Sequence, residues 1–208
     1  MTRKPRRALL VAAAATASLV VPPWSIGGDD LAAHMTRHLV LLEAVPLLVL
    51  VGLGPQLRRR LDVRALPAGV AATALLLVWH LPPVFDAALA RPWLHVLEHV
   101  SLLAVGVLLW IPVLSARTGT AAALAFLFLT RNAQAVLGNV LLFAPRPLYE
   151  ESGSLHDQRV AAAIMLGEGL LVGLLAAAWL FARLLRDQGS GSRAAAGPGP
   201  PRLVGEHD

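Results

Sequence analysis

The chain has 208 residues, 56% of them hydrophobic and only 15% charged, with a mean hydropathy of +0.64. That balance excludes an ordinary soluble domain, and the lack of cysteine excludes disulfides, CxxC redox chemistry and thiolate metal sites. A formal charge of +5 and a pI near 11.2 do not mark a nucleic-acid binder, because the basic residues flank apolar runs as membrane topology signals do.

A membrane helix takes about 20 apolar residues, and six segments qualify. The first, residues 8–21, follows the cluster Arg3, Lys4, Arg6 and Arg7. It is short and has the look of a signal-peptide core, so it is either cleaved or kept as a first span ending at Pro22-Pro23-Trp24. The second covers residues 34–53, followed by Arg58, Arg59, Arg60 and Arg64, and Pro46 is expected to bend it. The third covers residues 66–81 and stops at Pro82-Pro83, with a short loop expected before the fourth, residues 94–114. The fifth covers residues 120–143. The sixth covers residues 159–185, where Gly167, Gly169 and Gly173 offer a small face for close packing. Residues 1–186 thus read as one polytopic transmembrane domain and residues 187–208 as a disordered tail.

The fold class expected is an all-α integral membrane bundle of six helices, or five if the first is removed. Lys and Arg set the orientation. With both termini cytoplasmic, thirteen basic residues lie inside, while Arg37, Arg91, Arg146 and Arg159 lie outside and Arg131 is mid-span. Trp24, Trp79, Trp93 and Tyr149 then fall at the outer interface, and Trp110 and Trp179 at the inner one.

This topology sorts the histidines. His34 and His38 open the second span, His80 closes the third, His95 and His99 open the fourth, and His156 precedes the sixth, all toward the outer side. Only His207 is inside. His34/His38 and His95/His99 are i,i+4 pairs, and that spacing puts two imidazoles on one helix face. Imidazole suits copper, zinc, iron or nickel, and a thioether tilts the choice toward Cu(I). Met35 and Met165 are the methionines within reach, with His156 and Asp157 as possible additional ligands. A single interfacial histidine would be read as a polar anchor; two pairs plus His80 and His156 favour a metal site. The run His95-Val-Leu-Glu98-His99 also fits the HxxEH pattern of inverted zinc proteases. That motif is short and leaves His34 and His38 unexplained.

Three ionisable residues sit deep: Glu43, Arg131 and Glu168. Charges at mid-bilayer face inward and pair, so Arg131 is expected to pair with Glu43, Glu168 or both, near Asn132, Gln134 and Asn139.

The segments HMTRHLVLLEAVPLLVLVG, WHLPPVFDAAL, HVLEHVSLLAVGVLLWIPVL, LLFAPRPLY and DQRVAAAIM, in that order, resemble the CtaG-type cytochrome c oxidase assembly factors, polytopic bacterial membrane proteins. The match spans residues 33–171 and carries over His34, Met35, His38, Trp79, His80, His95, His99, Asp157, Gln158 and Met165. It departs after Gln158, where the family pattern implies a glycine and a tryptophan near Ala162 and Leu166. A single-span copper chaperone that shares the family's name relies on cysteines and is excluded.

The resemblance implies a non-enzymatic assembly factor in the bacterial plasma (inner) membrane. It would bind copper as Cu(I) at the periplasmic or exterior face and pass it from periplasmic copper donors to oxidase subunits. Alternatives are a membrane b-type cytochrome, a copper or proton transporter using Glu43, Arg131 and Glu168 as a relay, and a metal-free scaffold.

Overall fold

The computed structural model describes residues 31–53, 61, 63–115, 117–149 and 154–195. All regular structure among the described residues is helical. Helix α1 (Leu31–Leu39) runs through a π-helical turn, Val40–Ala44, into α2 (Val45–Gly52). Pro46 has no N–H to donate to the Leu42 carbonyl four residues back, so the ladder must change register nearby. The Val45 N–H bonds the Val40 carbonyl, five residues back. The expected bend at Pro46 therefore takes the form of a widened turn. Gly106 receives it, since a Cβ at that position would collide with the Leu42 carbonyl oxygen and the Pro46 ring.

Helix α3 (Ala65–Trp79) has 15 residues. At about 1.5 Å per residue it is shorter than a bilayer core of about 30 Å. The chain then bends by 68° into α4 (Pro82–Ala90). Sequence reasoning expected a loop here. Instead Pro82 and Pro83 occupy the first helical positions, where no N–H is needed, and they start a helix rather than end one. Pro92 opens α5 (Pro92–Leu114) in the same way. Helices α6 (Thr120–Phe143) and α7 (Leu155–Ala195) complete the bundle.

Among the described residues, four segments are long and apolar enough to cross a membrane: Leu31–Gly52, Pro92–Leu114, Thr120–Phe143 and Leu155–Arg186. The bent pair α3–α4 makes a fifth if it counts as one broken span. The predicted segment 8–21 lies outside the described residues, as do residues 196–208. Helix α7 continues past residue 186, where the tail was expected to begin, to Ala195.

Helix α5 is the hub, packing on α2, the π turn, α3, α4 and α6, while α7 packs on α6 and α1. The outward faces of α6 and α7 carry exposed Phe128, Leu129, Phe143, Leu170, Leu171 and Leu174, an apolar surface suited to lipid. The small face expected at the three glycines is not tightly packed: a Cβ at Gly169 or Gly173 would meet the Gln134 or Arg131 side chain only at ordinary contact distance, and Gly167 faces open space.

The aromatic belts need correction. Trp93 and Trp179 are exposed as expected, but Trp79, Trp110 and Tyr149 are buried. Each spends its polar atom on an internal partner: Trp79 Nε1 donates to Ser101 Oγ at 2.6 Å, Trp110 Nε1 to Glu43 Oε2 at 3.0 Å, and Tyr149 Oη to the His80 carbonyl at 3.1 Å.

Candidate metal centre

Five of the six histidines expected to share a face meet at one end of the bundle. The helical spacing puts His34 and His38 side by side on α1, with ring centroids 4.2 Å apart, and His95 and His99 side by side on α5, 4.4 Å apart. Between α1 and α5 the rings themselves meet, His34 stacked on His95 at 5.0 Å and His38 against His99 at 5.2 Å. His80 enters from the break between α3 and α4, 6.0 Å from His38. All five are buried, and the His99 residue has 0% exposure.

Two of these rings have a defined tautomer. His80 Nδ1 lies 2.8 Å from the Leu76 carbonyl and His99 Nδ1 lies 2.9 Å from the His95 carbonyl. A carbonyl can only accept, so each Nδ1 carries the proton and each Nε2 keeps its lone pair. This is how metal-binding histidines are commonly oriented.

The residue at the centre is Glu98, also with 0% exposure. Its Oε2 lies 3.8 Å from His34 Nε2 and 4.0 Å from His95 Nε2, and its Oε1 lies 3.6 Å from His38 Nε2. These gaps are too long for hydrogen bonds. Both Glu98 oxygens, together with Nε2 of His34, His38 and His80, are buried without a hydrogen-bond partner. An unsatisfied buried polar group costs about 1–3 kcal/mol, and a charged one more. Several converging on one point are what a bound cation would satisfy. The ligand atoms of His34, His95 and Glu98 all lie within 4.8 Å of one another. Imidazole nitrogen and carboxylate oxygen suit copper, zinc or iron.

Sequence reasoning missed Glu98 as a member of the cluster, although the signal was present. It lies three residues after His95, on the same helix face, and the HxxEH match pointed to it for a different chemistry. A chain of bonds fixes its backbone: Trp79 Nε1 donates to Ser101 Oγ, whose hydroxyl donates to the Glu98 carbonyl at 2.8 Å.

The other predicted site residues are placed elsewhere. Met35 and Met165 are buried together in an apolar cluster with Leu31, Phe85, Leu141 and Tyr149. Phe85 links that cluster to the imidazoles, its ring 5.1 Å from His34. His156 is exposed at the start of α7. Asp157 is a cap: the Leu31 N–H donates to its Oδ2 at 2.6 Å and the Ala32 N–H to its Oδ1 at 3.4 Å, holding the start of α1. Gln158 accepts from the Leu148 N–H at 2.7 Å and donates to the Leu141 carbonyl at 2.8 Å, which fixes the loop carrying Tyr149. Burial pushes the Tyr149 phenol above its usual range, so it remains the donor to His80.

Deeper in the bundle the expected ion pair is present. Arg131 holds Glu43 with two parallel bonds, Nη1 to Oε1 at 2.7 Å and Nη2 to Oε2 at 2.8 Å. Gln134 Oε1 accepts from Arg131 Nη1 at 3.1 Å, and Trp110 adds its bond to Glu43. Glu168 is near enough for its charge to bear on both partners. Asn132 and Asn139 do not join. Both are exposed and bond back to their own helix, at the Phe128 and Ala135 carbonyls.

The fold and this cluster define a class: a multi-pass helical protein with a buried histidine–carboxylate centre at one end of its bundle. Over residues 8–187 the sequence matches the family of the cytochrome c oxidase caa3 assembly factor, and the chain belongs to that family. No curated protein and no solved structure matches it.

Proposed function

We propose that this chain binds copper through His34, His38, His80, His95 and His99 and delivers it to a haem–copper cytochrome c oxidase during assembly. The observation that carries the reading is the convergence of five buried imidazoles, with unsatisfied Nε2 atoms on His34, His38 and His80. Neutral imidazoles hold copper firmly enough to shield it and loosely enough to pass it on. No chemical transformation is required, so the protein acts without catalysis.

The centre lies at the end of the bundle that the positive-inside bias puts outside. In this reading both termini are cytoplasmic, the segment at residues 8–21 is either a sixth span or removed, and copper arrives from donors on the periplasmic or exterior side of the plasma membrane. The oxidase subunit is the acceptor. Single cysteines introduced into this cysteine-free chain and labelled from either side would test the orientation.

A cytochrome reading fits less well. Neighbouring imidazole rings are 4.2–6.0 Å apart and pack on one another, which leaves no slot for a porphyrin between them. A transporter relay fits less well too, since both Arg131 Nη atoms are held by Glu43.

The test is the purified full chain loaded anaerobically with Cu(I). Bound copper, zinc and iron are measured with the visible spectrum, then again with His34, His38, His95 and His99 all changed to Ala. Copper in the wild type and none in the variant is expected. No copper in the wild type, under conditions that load a control copper protein, would overturn the reading, as would a Soret band.

A further inference from the structure

We propose that Glu98 bridges two metal ions, making the cluster a binuclear centre. This rests on the reading of the cluster as a metal site and goes beyond it in stoichiometry, in the role of Glu98 and in the division of the histidines.

The donor count exceeds what one ion takes. Imidazole and carboxylate sites for zinc or copper are filled by about four ligands. Here five imidazoles surround a carboxylate with two oxygens, and all six side chains are buried. The two oxygens also face different histidines. Oε2 addresses His34 and His95, at 3.8 and 4.0 Å. Oε1 addresses His38, at 3.6 Å, and His38 is in turn flanked by the rings of His80 and His99.

The separations have the right size. Two ligand atoms each about 2.0–2.2 Å from one ion stand about 3.3–3.6 Å apart at a tetrahedral angle and about 4.2 Å apart when opposed. The Nε2–Oε gaps of 3.6–4.0 Å fall in that interval, beyond hydrogen bonding and short of independence. A carboxylate whose oxygens serve different ions suits the spacing of about 3.5–4 Å found in two-metal sites.

The geometry therefore assigns one ion to His34, His95 and Glu98 Oε2, and the other to His38, His80, His99 and Glu98 Oε1. The two half-sites draw on the same helices: each i,i+4 pair is split, one ring to each ion. His80, which follows α3 and is the one assigned donor outside α1 and α5, belongs to the second half-site, so its removal separates the two experimentally.

The experiment measures copper per chain in the full-length protein, loaded with Cu(I) against a competing chelator, together with X-ray absorption for a copper–copper vector. Two coppers and a vector near 3.5–4 Å are expected for the wild type. His80→Ala is expected to halve the copper content and remove the vector. Glu98→Gln, which keeps the shape but not the charge, is expected to remove the vector and lower the content at least twofold. One copper in the wild type, unchanged in His80→Ala, would overturn the binuclear proposal and leave the single-ion reading standing. No copper at all would overturn both.

Discussion

The bundle encloses two polar groups of similar size, and they are built on opposite terms. Around Glu43 and Arg131, the charges meet face to face, Trp110 and Gln134 add bonds, and the guanidinium is held at both of its Nη atoms. Around Glu98, a carboxylate and three imidazole nitrogens are withdrawn from water without hydrogen bonds to one another. Both groups use α5 and the α1–α2 strand of the chain, so the difference does not come from position in the fold. In the first group the Glu43–Arg131 pair is satisfied as it stands and fixes how helices register, although both oxygens of the neighbouring Glu168 are buried without a hydrogen-bond partner. The second is complete only with something added, which is the signature of a binding site.

The comparison breaks most visibly if the deep pair is cut. Glu43→Ala leaves Arg131 buried without its partner and should cost about 3–5 kcal/mol, read as a lower unfolding midpoint in detergent. Changing Arg131 to Ala as well should recover a large part of that loss. A double-mutant coupling near zero would sink the idea that the pair acts as a unit. A change at the centre of the histidine–Glu98 cluster should do the opposite. Glu98→Gln replaces a buried carboxylate whose oxygens have no hydrogen-bond partner, so the metal-free protein should be no less stable than wild type.

Copper should stabilise the wild type by mass action, by about 4 kcal/mol when free copper is 1,000 times its dissociation constant. The matching measurement is a melting curve with and without Cu(I). The shift should vanish when His34, His38, His95 and His99 are Ala, and should persist in Glu43→Ala. A copper-induced shift that survives loss of the four histidines would place the metal elsewhere.

Gly106→Ala pushes a methyl group into the Leu42 carbonyl and the Pro46 ring. It should cost about 1–3 kcal/mol by overpacking, with little effect on copper stoichiometry, since the displaced turn lies below the histidines. The smallest effect is expected from Asp157→Ala, about 0.5–2 kcal/mol for a lost helix cap. Because Asp157 steadies the start of α1, that variant should also weaken copper affinity modestly while leaving the copper count unchanged. An Asp157→Ala protein that loses half its copper would make Asp157 a ligand instead.

Much of this was legible in the sequence, and the rest was not for physical reasons. Apolar length located the fifth span, expected at residues 120–143, where α6 lies, but it read α3, too short to cross alone, as a full span. The i,i+4 spacing found both histidine pairs, and the cost of a mid-bilayer charge found Arg131 and Glu43. Helix α4 was hidden because Pro82-Pro83 reads equally as the end of one helix or the start of the next. The buried Trp79, Trp110 and Tyr149 were misplaced because their partners, Ser101, Glu43 and the His80 carbonyl, are brought to them by tertiary packing. Asp157 and Met165 look like ligands by residue type, yet one caps a helix and the other fills an apolar cluster. Glu98 was overlooked since its role depends on histidines 60 or more positions earlier as much as on its own neighbours.

The cap at Asp157 also bears on the order of synthesis. Membrane chains are made from the N-terminus onward. The five histidines and Glu98 have all been made once α5 is complete, but the residue that ties down the first turn of α1 belongs to α7, the last helix described. A nascent chain thus holds every donor before it holds the brace. A mature centre is the property of a finished chain, and a product truncated before α7 keeps the donors without the clasp that sets their geometry.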